Sequence, residues 1–181
     1  YSSDVGSGDA QADNGSSGET GGTSDKGVEL TVTGSVPMLE GLDVGVGYYD
    51  QDTDSTTTTG NYGQQEGTAY INYAIGGLKV GVQRGVVENP GLTAAAHDTT
   101  YDTDYLGISY AVSDNVSISY NEIDSRKSAG GVDVDQDMDS ISLSYTSGGM
   151  TIGVMDQDAD NASYTSARTQ SARSVQMTIA F

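Results

Sequence analysis

Residues 27–36 read Gly-Val-Glu-Leu-Thr-Val-Thr-Gly-Ser-Val, and this stretch decides the fold because its apolar side chains recur at every second position. In an extended strand, successive side chains point to opposite faces. Val28, Leu30 and Val32 would therefore share one face, and small polar or acidic residues the other. A helix would instead space its apolar residues by three and four. The stretch predicts a strand with one apolar and one polar face.

The same alternation recurs along the rest of the chain, in segments of similar length. These segments are 42–48, 69–75, 78–83, 106–112, 116–121, 140–145, 150–154 and 174–181. Counted with the residues at their ends, they predict strands of about 8–10 residues, close to the length of about 9–11 residues that a tilted membrane-spanning strand needs. We therefore expect an all-β protein, an antiparallel transmembrane β-barrel of which about nine strands are present.

The connections between these segments alternate in length. Short turns are expected at 37–41, 76–77, 113–115 and 147–149, and long polar loops near 50–66, 88–104, 122–139 and 156–173. Short turns on one side of the membrane and long loops on the other are typical of outer-membrane barrels. We interpret residues 1–26 as the end of a polar extracellular loop and residues 27–181 as the C-terminal strands of the barrel.

Composition excludes several classes of function. The chain has 181 residues, with no Cys, no Trp and a single His, His97, so cysteine nucleophiles, disulfides and cysteine-based zinc sites are absent. One histidine in an Ala-rich loop is poor material for a catalytic site, and we expect no catalytic residues and no enzymatic activity. The net charge of −19 argues against nucleic acid as a partner.

Charge is sorted between loops and strands. Most of the 26 acidic residues lie in the long polar segments, whereas the strands carry Val, Ile, Leu and Tyr on one face and Ser, Thr, Gly and Asn on the other. Lipid outside and water inside would suit these two faces. A loop-binding β-sandwich of structural or adhesin type, and an outer-membrane barrel without a channel, remain as alternatives.

The polar face of the strands is expected to line a water-filled pore. Its members are Glu29, Thr31, Thr33, Asp43, Tyr70, Asn72, Lys79, Gln83, Ser117, Ser119, Asn121, Ser142, Ser144 and Gln176. The apolar face carries tyrosines near both ends of the strands, where amphipathic rings prefer the membrane interface. The expected aromatic girdle consists of Tyr48, Tyr73, Tyr110, Tyr120 and Tyr145.

The end of the chain resembles the outer-membrane assembly signal of bacterial porins, a final strand of alternating apolar residues that closes on a terminal Phe. The matching positions are Val175, Met177, Ile179 and Phe181. The long acidic loops, and strands such as 107–112, are similar to those of general porins, most closely those of alphaproteobacteria. The resemblance covers residues 27–181 in pattern, and its specific motif is confined to the last seven or so residues.

The resemblance implies a diffusion porin of the bacterial outer membrane, a passive channel for ions and small hydrophilic solutes. General porins have sixteen strands and usually form homotrimers, so we expect an N-terminal half of the same barrel and further copies of the chain as partners, beside the lipid bilayer. Nine is an odd number, and an antiparallel barrel cannot close on its own with an odd number of strands. The resemblance also implies that the constriction loop belongs to the absent half.

The acidic loops invite two further hypotheses. Asp133, Asp135 and Asp137 alternate along one loop and could offer oxygen ligands to calcium, but we favour the interpretation that these are solvated anionic loops. Otherwise we expect no cofactor. A vestibule lined by acidic loops would concentrate cations, so the channel is expected to prefer them.

Overall fold

A computed structural model describes residues 26–52, 63–89 and 98–179 of the chain. Nine strands account for most of these residues. A single turn of 3-10 helix, Ala162–Tyr164, lies between the last two strands. The strands are β1 Lys26–Ser35, β2 Leu42–Asp52, β3 Gln64–Ile75, β4 Leu78–Glu88, β5 Thr99–Ser113, β6 Val116–Ala129, β7 Val132–Ser147, β8 Met150–Asp160 and β9 Gln170–Ile179.

The nine strands form one antiparallel sheet in which each strand pairs with its neighbours in sequence, from β1 to β9. The sheet is open, and β1 and β9 are its two edges. The prediction of an all-β antiparallel architecture with about nine strands is thereby confirmed. The sandwich alternative is wrong, because it needs two sheets packed face to face and the described strands make a single layer.

The sheet has almost no hydrophobic core of its own. Among the described residues, Ala162 is the one hydrophobic residue that is buried. The apolar face is open instead, with exposed fractions of 66% at Val28, 52% at Ile141 and 71% at Val175. A layer that leaves its whole apolar face uncovered needs an apolar environment outside the sheet, which a lipid bilayer supplies.

The loop expected at 122–139 is a continuous hairpin. β6 runs to Ala129 and β7 begins at Val132, and the turn between them is Gly130-Gly131 with φ values of 56° and 79°. Two glycines with positive φ suit the tight two-residue turns that join antiparallel strands. The prediction was wrong because acidic residues replace the apolar ones on one face of this hairpin, so the hydrophobic alternation disappears although the strand continues.

The expected loop at 156–173 is also shorter than predicted, since β8 continues to Asp160 and β9 begins at Gln170. The connections at 76–77 and 147–149 are tight turns, as expected. Both ends of the loops expected at 50–66 and 88–104 belong to strands, since β2 ends at Asp52, β3 begins at Gln64, β4 ends at Glu88 and β5 begins at Thr99. Residues 53–62 and 90–97 lie outside the described residues. None of the helices among residues 26–52, 63–89 and 98–179 is long and apolar enough to span a membrane.

Candidate functional site

The strand registers bring all the residues expected to line a pore onto one face of the sheet. Residues that are directly opposite in an antiparallel pair share a face. Asp43 lies opposite Asn72, Ser119 opposite Ser142, and Gln176 opposite Gly153. Following the registers from strand to strand, this polar face contains Glu29, Thr31, Thr33, Asp43, Tyr70, Asn72, Lys79, Gln83, Ser117, Ser119, Asn121, Ser142, Ser144 and Gln176. Their role in lining a pore stays a prediction.

Short side chains tie neighbouring strands together across the polar face. The hydroxyl groups of Ser119 and Ser142 are 2.6 Å apart, and the Gln83 amide donates to the Thr68 hydroxyl at 3.1 Å. A groove of about 370 Å³ lies along the middle of the sheet, and its lining includes Asn72, Gln83, Tyr105, Asn121, Ser140 and Gln157. The face therefore offers hydroxyl and amide groups to water or to a polar solute.

Charge on the polar face is nearly balanced. Glu29, Asp43 and Glu66 lie on it, together with Lys79 and Lys127. Asp43 accepts a hydrogen bond from the Ser35 hydroxyl at the end near the short turns. Negative charge exceeds positive charge by one on these side chains.

The opposite face carries an apolar belt that ends abruptly toward the long loops. In most strands, the apolar residue of this face that lies nearest the long loops has a charged residue two positions away, on the side of those loops. The pairs are Tyr48 and Asp50, Leu106 and Asp104, Tyr120 and Glu122, Ile141 and Asp139, Val154 and Asp156, and Val175 and Arg173. We call the charged residues on this side of the sheet, beyond the belt, the charged band.

Most acidic residues of the described strands belong to the charged band, which corrects the expectation that they line the vestibule. The band is partly neutralised by arginines, because Arg84 lies 2.6 Å from Asp102 and Arg126 lies 2.7 Å from Asp135. The hydrogen bond to Asp135 raises the pKa of Arg126 above its usual value. The register between paired strands decides the face to which these side chains point. The sequence does not reveal that register where a strand is mistaken for a loop.

The tyrosines expected in the aromatic girdle all share the face of the apolar belt. Tyr73, Tyr110 and Tyr145 lie at the short-turn ends of their strands. At the opposite border, Tyr48 donates to Asp50 at 3.2 Å and Tyr120 donates to Glu122 at 3.3 Å. Each of these two tyrosines has its ring in the apolar belt and its hydroxyl bonded to the charged band. A membrane interface favours this arrangement. Their interfacial role stays a prediction.

The residues of the expected assembly signal are on the edge strand β9. Val175, Met177 and Ile179 face the apolar side and are exposed, whereas Gln176 faces the polar side. Phe181 lies outside the described residues.

The structure places Asp133, Asp135 and Asp137 in a strand and not in a loop, and a calcium role for them stays a prediction. These residues occupy alternate positions of β7, so neighbouring members of the series are about 6.6 Å apart along the strand. Calcium binds its oxygen ligands at about 2.3–2.6 Å, which three such positions of a straight strand do not favour. Within residues 26–52, 63–89 and 98–179, no three His, Cys, Asp or Glu side chains come together as a metal site. His97 lies outside the described residues.

One feature of the polar face is missed by sequence reasoning. Residues 161–168, which we call the inward segment, leave the end of β8 and fold back over the polar face of β5, β6 and β7. No periodic pattern marks this stretch, because contacts with residues distant in sequence hold it in place.

Comparison with known proteins gives structural matches alone, since no family model and no curated protein matches the chain. OmpT of Vibrio cholerae, an outer-membrane protein folded in vitro, matches with a TM-score of 0.57 and 16% identity over 84% of this chain and 52% of its own. A loop L8 deletion mutant of that protein matches with a TM-score of 0.57 and 17% identity over 75% and 48%. A trimer form matches with a TM-score of 0.55 and 17% identity over 84% and 54%.

These matches show the fold. The chain has the architecture of an outer-membrane β-barrel, and it spans about half the length of the solved structures that it matches. The open sheet is part of such a barrel, with neighbouring strands antiparallel and paired in sequence order. This fold supports the localisation in the bacterial outer membrane that the sequence predicts.

Proposed function

We propose that this protein is an outer-membrane diffusion porin, which forms a water-filled channel for ions and small hydrophilic solutes. One observation carries the proposal: a single-layered barrel sheet exposes an apolar belt on one face and a mainly polar wall, rich in Ser, Thr, Asn, Gln and Gly, on the other. Lipid covers the first face, and the second surrounds water. In this arrangement a barrel with many strands conducts, because short side chains cannot fill its lumen.

The proposed mechanism is passive. Pore width excludes large solutes, and the few charges on the wall bias the flow of ions. No bond is made or broken, so the proposal assigns no catalytic residue and no enzymatic activity. The general-porin type and the total of about sixteen strands come from the resemblance of the sequence, and the open edges of the sheet are consistent with further strands from an N-terminal half.

The wall charges favour a mild preference for cations. Glu29, Asp43 and Glu66 outnumber Lys79 and Lys127 by one on the polar face, and the charged band points away from the channel. The preference should weaken as salt rises, because the screening length falls to about 8 Å near 0.15 M salt.

Conductance in planar bilayers tests the proposal. The intact native barrel, purified and reconstituted, should give discrete current steps in potassium chloride and should make liposomes permeable to small sugars. A barrel that is folded and inserted, as judged by its heat-modifiable migration, but passes neither ions nor sugars would contradict it. That outcome would favour the alternative of a barrel without a channel.

A further inference from the structure

The inward segment is a folded structure with its own hydrogen bonds. The Ala162 amide donates to the Arg168 carbonyl at 2.8 Å, and the Ala167 amide donates to the Asn161 side chain at 2.8 Å. Ala162 is 2% exposed beneath this turn. The segment therefore has a defined conformation at the end of the barrel that bears the long loops.

Two contacts attach the start of the segment to the neighbouring strand β7. The Asn161 side chain donates to the Asp135 carbonyl at 2.8 Å, and the Ser163 amide donates to the Gln136 side chain at 2.7 Å. Gln136 lies opposite Ser125 in the register, which places both on the polar face. The segment thus turns toward the channel side of the sheet.

Tyr164 carries the segment further across the polar face. Its hydroxyl is 2.8 Å from the Ser125 hydroxyl on β6, which is itself 2.7 Å from the Thr103 hydroxyl on β5. Its ring meets the Tyr101 ring edge-on at 5.1 Å between centroids, and the Lys127 ammonium lies 5.7 Å from the centre of Tyr101. Strands are about 4.8 Å apart, so the reach from β8 to β5 is about 14 Å.

The backbone of the segment shows that these contacts hold it. Asn161, Ser163, Tyr164 and Ala167 have φ values between 49° and 61°, in the left-handed region that side-chain-bearing residues seldom occupy. Such conformations are strained, and they persist where the surroundings impose them. Contacts with three strands provide that constraint here.

We propose that the inward segment narrows the extracellular end of the channel and sets the upper size of the solutes that pass, with Tyr164 as the residue that holds it in place. This inference rests on the proposed channel function. It places a size-selecting element between β8 and β9, within this chain, whereas the resemblance to general porins implies a constriction loop outside it.

Limited trypsin digestion tests whether Tyr164 holds the segment, and its readout does not depend on conduction. Arg168 is exposed, but its amide and carbonyl groups are hydrogen-bonded to Thr165 and Ala162, so cleavage requires the segment to open. In the intact native barrel, Tyr164→Ala should speed cleavage after Arg168 about tenfold, equivalent to about 1.4 kcal/mol. Tyr164→Phe, which keeps the ring, should act in the same direction with a smaller effect.

Two further variants make this test specific. Tyr105→Phe removes a phenol hydroxyl from the same face without touching the segment, and should leave the cleavage rate unchanged. Ala167→Gly relieves a left-handed position and should slow cleavage. A Tyr164→Ala barrel that is cut at the wild-type rate would overturn the holding role.

Conductance then tests the size-selecting role. Tyr164→Ala should raise single-channel conductance and admit larger sugars into liposomes, whereas Tyr105→Ala, which deletes a similar ring from the wall, should raise conductance less. If Tyr164→Ala releases the segment but conductance and the size limit stay at wild-type values, the inference is overturned and the channel function stands. If the wild-type barrel conducts nothing, the channel function fails, and size selection fails with it.

Discussion

At the scale of single residues, the wall of the proposed channel owes its charge to a few side chains whose direction is set by register. Glu29 and Asp43 face the polar side of the sheet, whereas Asp137 belongs to the charged band on the other side. An acid on the wall acts on ions in the lumen without intervening lipid or protein. Charge that lies on the outer side of the sheet is screened by solvent and is farther from the ion path.

We expect the double change Glu29→Gln and Asp43→Asn to reduce the cation preference of the channel, because it removes two wall charges. Reversal potentials under a gradient of potassium chloride should shift toward zero at low salt. Asp137→Asn is the matched control, since it removes an acid from the charged band, and it should leave the potential unchanged. An equal shift in both proteins would contradict the assignment of the faces.

Gly41 is a residue whose replacement should be costly to the fold. Its φ is +86°, its carbonyl accepts from the Ala74 amide at 2.8 Å, and a Cβ atom there would overlap the Ala74 carbonyl oxygen. Gly148 also has a positive φ, +57°, but a Cβ atom there meets nothing within 4 Å. The two glycines separate the cost of the conformation from the cost of close packing.

Gly41→Ala should lower the free energy of unfolding by about 3 kcal/mol, from left-handed strain of about 1–2 kcal/mol and a backbone clash of about 1–3 kcal/mol. Gly148→Ala should cost the strain alone. Urea unfolding of the folded barrel in lipid vesicles measures both variants. Equal losses of stability would show that the approach of Gly41 to Ala74 contributes nothing.

At the scale of elements, the two faces of each strand should respond differently to the same substitution. Leu143 lies in the middle of the apolar belt on β7 and is 50% exposed, and the next residue, Ser144, lies on the polar face. A charged side chain near the membrane midplane costs about 2–4 kcal/mol in such barrels. Water on the other face imposes no such penalty.

Leu143→Lys is therefore expected to destabilise the barrel by about 2–4 kcal/mol, and Ser144→Lys by less than about 1 kcal/mol. Urea unfolding in vesicles compares the two variants directly. The positions are adjacent in sequence, so the comparison controls for strand and depth. A greater loss for Ser144→Lys would reverse the assignment of the faces.

At the scale of the whole molecule, the open sheet has two edges whose backbone groups lack partners among the described strands. The unpaired edge of β1 and the unpaired edge of β9 both expose backbone N–H and C=O groups. In lipid each unsatisfied group costs several kcal/mol, so a membrane sheet cannot keep such edges. We therefore expect further strands to complete the hydrogen bonds in the native particle.

Amide hydrogen exchange on the intact native particle checks this requirement. The amides of β1 and β9 should be protected as strongly as those of β4 and β5, which have strands on both sides. Rapid exchange along one side of β1 or β9 would mean that the edge is open to water. It would contradict the proposal of a larger closed barrel.

We also expect the native particle to be a homotrimer. This expectation comes from the resemblance to general porins, and a trimer form occurs among the structurally similar proteins. The exposed apolar side chains of β9, including Val175 and Met177, are compatible with contact to another protein as well as to lipid. Native mass measurement in a mild detergent should give three copies, and a monomer would contradict the prediction.

The sequence by itself determined the strands of the apolar belt, because a surface between lipid and water imposes apolar residues at every second position. Val28, Leu30 and Val32 already reveal this pattern, and the registers confirm that the residues expected on the polar face share one side of the sheet. The tight turns follow equally from local chemistry, since glycines such as Gly76, Gly148 and Gly149 supply the positive φ that these turns require.

Only the tertiary structure decided what lies beyond the belt. There both faces of the strands leave the lipid, so the alternation that identifies a strand in the membrane loses its apolar half, and the hairpin through Gly130-Gly131 looked like a loop. The register of β7 with β6 and β8 then places the acidic residues of this hairpin on the outer side of the sheet. The inward segment depends on Tyr164 meeting Ser125 and Tyr101, residues far away in sequence, and no local pattern encodes a contact of that kind.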